Sequence, residues 1–178
     1  MRRYFAECLF CLVVTTATVQ AQEGNTFEAA SGRATIVTEI EANVGTDLLC
    51  EFDVKEIASG SQWASLISIA MDEGKETDQD SRYVQLNMTY QQDEDQTVTL
   101  AIRKLGFGAD SEEYVFLGHW QRLGLFELQL EWTDEGFNYY VSLPQEVVAF
   151  AEIDLPDDFK PKYFRAGISG LRTEAYCE

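Results

Sequence analysis

Past residue 21 of this 178-residue chain, apolar side chains recur at every second position and show no amphipathic helical spacing. Cys50, Phe52 and Val54 alternate with Glu51, Asp53 and Lys55. Val84, Leu86, Met88 and Tyr90 alternate with Tyr83, Gln85, Asn87 and Thr89. Val98, Leu100 and Ile102 form one row, and Phe126, Leu128, Leu130 and Trp132 another, separated by Glu127, Gln129 and Glu131. Phe137, Tyr139, Val141 and Leu143 form a further row. A strand turns successive side chains to opposite faces, so each run has one buried and one wet side. More strands are expected near 35–41, 63–71, 114–119, 147–155 and 164–171, about ten in all. That pattern predicts an all-β, antiparallel two-sheet sandwich.

The turn chemistry agrees. Thr133-Asp134-Glu135-Gly136 separates two alternating runs, and Gly136 can adopt the positive φ a tight hairpin needs. Residues 91–96 read as a second hairpin loop, Gly106-Phe107-Gly108 as a hairpin tip, and Leu143-Pro144-Gln145 as a turn. Residues 22–33 are small and polar and are expected to be a flexible leader, leaving 34–178 as a single β-sandwich domain.

The first 21 residues read as a cleaved export signal. Met1-Arg2-Arg3-Tyr4 is a short basic start, Cys8 to Val14 is a short apolar run, and Val19-Gln20-Ala21 supplies small residues before a mature start at Gln22. The apolar run is far below the ~20 residues of a membrane span. The expected location is therefore secreted or periplasmic. Cys8 and Cys11 lie inside the signal, which leaves Cys50 and Cys177. Two cysteines in an oxidising compartment predict one disulfide, worth up to about 4–5 kcal/mol in the chain-entropy view and usually less.

A net charge of −18 argues against nucleic acid and anionic lipid as partners, because phosphate recognition needs a basic face. The single histidine excludes multi-histidine metal centres. His119 has no serine or cysteine in a nucleophile context and reads as a packed or surface residue.

Gly118-His119-Trp120, the alternating strand to Trp132, the acidic turn with Gly136, Tyr139-Tyr140-Val141, and Arg165 to Gly170 follow one another in a recognisable order. On these stretches the chain, from about Asp47 onward, resembles the concanavalin A-like lectin/glucanase superfamily, nearest in style to its laminin-G-like jelly rolls. The resemblance implies a jelly-roll sandwich and a protein that binds glycans, binds proteins or cleaves polysaccharides. Fold alone does not choose among these.

Glu152-Ile153-Asp154 and Asp157 loosely resemble the Glu-x-Asp-x-x-Glu motif of the superfamily's retaining glucanases, where paired carboxylates do the chemistry. The last acid here is Asp157 after Pro156 rather than Glu, and the motif follows the Trp132 hairpin instead of preceding it. Glu51-Phe52-Asp53 is similar to a legume-lectin metal strand, but position 57 is Ile and no His is near. Asp72, Asp78 and Asp80, with Glu73 and Glu76, crowd one loop that has the oxygen chemistry calcium requires. No other cofactor is expected.

Aromatic faces cover sugar rings while polar neighbours take the hydroxyls. Alternation turns Tyr83 outward beside Gln85 and Asn87, and turns Tyr140 outward on its own strand. With Trp63 at a loop edge, these are the expected ligand-binding residues. Trp120 and Trp132 are expected in the core. Asn87-Met88-Thr89 is a glycosylation sequon, usable in a eukaryotic secretory pathway. The leading expectation is a non-catalytic module binding a glycan or an extracellular or envelope glycoprotein. A divergent glucanase-like hydrolase and a protein-interaction scaffold are the alternatives.

Overall fold

The computed structural model describes residues 24–30, 32–58, 64–74, 82–91, 97–107, 112–121, 124–143 and 146–178. Residues 1–21, expected to be an export signal, and Trp63, Asp78 and Asp80 lie outside the described residues. Strands occur at Asn25–Glu28 (β1), Ala34–Glu41 (β2), Asp47–Ile57 (β3), Ser65–Asp72 (β4), Tyr83–Tyr90 (β5) and Val98–Leu105 (β6). Six more follow: Glu112–Trp120 (β7), Leu125–Thr133 (β8), Gly136–Leu143 (β9), Glu146–Ile153 (β10), Tyr163–Ser169 (β11) and Leu171–Cys177 (β12).

All ladders are antiparallel. The first sheet runs β1-β12-β3-β8-β9-β10 and the second β2-β11-β4-β5-β6-β7. The sheets stack with β1 against β2 and β4 against β8, which makes the fold an all-β two-sheet jelly-roll sandwich.

The rows picked out by alternation are the core. Phe52, Val84, Leu86, Met88, Leu100, Phe126 and Leu128 have no exposed surface. Fully burying such side chains contributes roughly 1.5–3 kcal/mol each before the entropy cost of ordering them. Tyr139 shows how a polar tip is accommodated between the layers. Its ring is buried and its hydroxyl donates to the Val84 carbonyl of the opposite sheet at 2.9 Å. Burial also pushes that phenol well above its ordinary pKa.

Cys50 and Cys177 are register partners across β3 and β12 and form the disulfide, spanning 127 positions. The β8–β9 hairpin turns through Asp134 and Glu135. Gly136 takes φ 146°, and the Thr133 hydroxyl donates to the Gly136 carbonyl at 3.2 Å.

Three expectations are corrected. The segment 22–33 is not merely a leader, since Asn25–Glu28 forms β1 and pairs with β12. Four residues with one apolar side chain show no readable period, so only the partner strand reveals this element. The run after Phe164 is two strands, folded back at Gly170 with φ 64°. Trp120 and Trp132, expected in the core, are half-buried and pack against its edge.

Candidate functional site

The outer face of the second sheet carries a cleft of about 690 Å³, within the range of small-ligand sites. Its floor is made of small residues at matching levels of adjacent strands. Gly167 of β11 pairs with Ser68 of β4, which pairs with Asn87 of β5. One level along, Ala70 separates Arg165 of β11 from Gln85 of β5. Because the central strands place glycine, serine and alanine outward, the backbone itself forms the trough.

Two ion-paired arginines stand at one end. Arg165 bonds Glu39 through Nε and Asp72 through Nη1 at 2.8 Å, and its guanidinium lies 5.2 Å from the Tyr163 ring. Arg103 bonds Glu112 through Nε and lies between the rings of Tyr83, at 5.4 Å, and Tyr114, at 6.0 Å. The Tyr114 hydroxyl donates to the same Glu112 carboxylate at 2.6 Å. That hydrogen bond, then Arg103, holds Glu112 below the usual carboxylate range. Burial raises the Tyr83 phenol.

Asp72 is committed to this wall. Its Oδ1 accepts the Gly74 N–H at 2.7 Å, and burial is the main cause that lifts its carboxyl above the ordinary value, against the pull of Gly74 and Arg165. Gly74, at φ 74°, lies so close to Tyr163 that a Cβ would sit 2.5 Å from the ring. Asp72 thus pairs with Arg165, and among the described residues no group of three or more His, Cys, Asp or Glu is arranged to hold a metal.

Asn87 points outward, as alternation requires, but into the cleft floor. Its Oδ1 is enclosed and lacks a hydrogen-bond partner. A buried acceptor without a partner costs about 1–3 kcal/mol, so one at the base of a cleft is poised for a donor from a ligand. A glycan attached at the Asn87 sequon would occupy the cleft itself.

Tyr83 and Tyr140, expected on one binding face, lie on opposite sheets. Tyr83 lines the cleft from β5, whereas Tyr140 is on β9 of the first sheet, 5.1 Å from the exposed Phe150 ring and donating to Glu131 at 3.3 Å. Alternation tells outward from inward but not which sheet a strand joins. Glu152 is exposed on β10, the edge strand of the first sheet, and Asp154 and Asp157 are exposed in the connection to β11. These three do not enter the cleft, so the carboxylate pairing of the hydrolase reading has no counterpart there. Glu51 and Asp53 also belong to the first sheet, and Asp53 bonds Lys55 at 2.5 Å. His119 is exposed on β7, its Nδ1 3.0 Å from the Thr99 hydroxyl.

Sequence reasoning missed Arg103, Arg165 and the small-residue floor. The available signal was the run Leu66, Ser68, Ala70 and Asp72, an outward row unusually small for a strand's wet side.

The fold and cleft define a β-sandwich with a ligand-sized recess on the outer face of one sheet. No protein-family model and no curated protein sequence matches the chain. Solved structures similar to it include sheep galectin-11 in complex with glycerol, at 14% identity, covering 83% of this chain and 98% of that one with a TM-score of 0.42. A toad ovary galectin in complex with thio-digalactose is 11% identical over 82% of this chain and 98% of that one, TM-score 0.43. The carbohydrate binding module CBM66 from Bacillus subtilis is 14% identical over 82% and 94%, TM-score 0.40.

Proposed function

We propose that the protein is an exported, non-catalytic binding module whose ligand is a glycan seated in the cleft of the second sheet. The observation that carries this reading is the unpaired Asn87 oxygen at the base of a small-residue trough walled by fixed, ion-paired arginines. Sugars present hydroxyls in many directions and an apolar ring face. They are held by preset donors and acceptors beside an aromatic surface, and the Tyr83–Arg103 stack and the amides of Gln85 and Asn87 supply both. Arginines already neutralised by Glu39, Asp72 and Glu112 favour neutral hydroxyls over a bare anion.

Export is part of the proposal. The Cys50–Cys177 disulfide supports it, as such bonds persist in oxidising compartments. No helix among the described residues is long and apolar enough to cross a membrane. Mass spectrometry of the exported chain is expected to find Gln22 first.

The functional test is a glycan array followed by calorimetry on the strongest hit. Asn87→Ala is expected to weaken binding about tenfold, the scale of one lost buried hydrogen bond. A folded protein that is silent on the array would end the glycan reading.

A further inference from the structure

The cleft changes chemistry along its length. At one end stand Arg103, Arg165 and Asp72, at the other Ala34, Ala64 and Leu66 line it with aliphatic carbon, and Ile36 flanks it from the outermost strand at the level of Gly167, Ser68 and Asn87. Six positions of β4 separate Leu66 from Asp72, about 20 Å of extended chain. Ile36 is 56% exposed on the outermost strand of a strongly acidic protein.

Its placement is set by the backbone. The β2–β11 register slips between Ala166 and Gly167, so Thr38 pairs with Ala166 and Ile36 with Gly167, leaving Val37 as the extra residue. A bulge re-aims the side chains beside it. Here it sets Ile36 beside a glycine that has no side chain to cover it. On the next level Leu66 pairs with Ser169, which in turn pairs with Ala34. A bare sugar needs no such aliphatic end, and exposed apolar carbon in a recess marks surface that a ligand covers.

We propose that the ligand is an amphiphilic glycan, a sugar carrying a short alkyl or acyl group. The sugar lies over Asn87 toward the arginines, and the aliphatic group lies on Ile36 and Leu66. This rests on the glycan reading above and adds the class of sugar.

The experiment is calorimetric titration of the exported protein with methyl, butyl and octyl glycosides of glucose, galactose, mannose and N-acetylglucosamine, each below its aggregation concentration. For at least one sugar, affinity is expected to rise about tenfold or more from methyl to octyl. Ile36→Ser, a change at an exposed position, should cut that gain several-fold. Asn87→Ala should weaken all three members of the series in parallel. Equal affinity for methyl and octyl members, or a gain indifferent to Ile36→Ser, overturns this inference and leaves the glycan reading standing. Octyl binding that ignores the identity of the sugar overturns the glycan reading and this inference with it, as does silence of every glycoside.

Discussion

The two outer faces of the sandwich obey the same period-two rule and end as chemical opposites. On the first sheet, β3 and β8 set Asp47 across from Glu131 and Glu51 across from Glu127. Like charges directly opposite one another destabilise a ladder. Gln129 donates to Asp47 at 2.8 Å, but no cation in that ladder stands between the acids. On the second sheet, Glu39, Asp72 and Glu112 are each matched by Arg165 or Arg103, and small residues open a trough beside them. A face of facing carboxylates stays hydrated and repels its own kind. A face with matched charges and missing side chains leaves a recess whose polar groups are fixed in advance. On the proposed function, one sheet supplies solubility and the other recognition.

The sharpest way to break that division is through the disulfide, which belongs to the first sheet. Replacing Cys50 and Cys177 together by serine is expected to lower the unfolding free energy by about 2–5 kcal/mol in urea titrations. Ligand affinity of the folded fraction should not change, and a parallel fall in affinity would show that the sheets are not independent. Next comes a matched pair of bulky substitutions. Ala70→Trp fills the trough and should weaken glycan binding at least tenfold. Ser142→Trp, at a half-buried outer position of the first sheet, should leave binding alone. Both should cost no more than about 1 kcal/mol of stability, because each lies on an outer face.

Smaller effects sharpen the contrast in charge. Glu127→Lys places a cation opposite Glu51 and should stabilise the protein by about 0.5 kcal/mol in low salt, less in high salt, with binding unchanged. The smallest effect concerns Asp72. Its folded carboxyl holds a proton more tightly than an unfolded aspartate, so between pH 3.8 and the raised value the native state binds more protons than the unfolded state. Stability attributable to this group falls with rising pH across that interval. Thermal melts across the acidic range should show a more negative slope for the parent than for Asp72→Asn. A slope of the opposite sign would mean that the Arg165 pair outweighs burial.

Much of the fold could be read from alternation. The rows at 84–90, 98–102 and 126–130 are buried as their period demands, and the Gly136 hairpin falls where the turn residues place it. The site was far less legible. Tyr83 and Asn87 were correctly read as outward, yet Tyr140 was grouped with them because nothing local distinguishes a strand of one sheet from a strand of the other. Arg103 and Arg165 are 62 positions apart and face one recess only because β11 inserts between β2 and β4. Ile36 depends on a one-residue slip that leaves no mark in the composition of β2.

The amino-acid order by itself determined which side chains leave water, where the chain turns and which two cysteines were left to pair. Those are local matters, governed by a two-residue period and by the backbone freedom of individual residues. Tertiary structure alone decided which outward rows became neighbours, and so which small residues opened a trough and which arginines came to wall it. Strand order and register are long-range pairings chosen by the whole core at once, and no single segment contains that information.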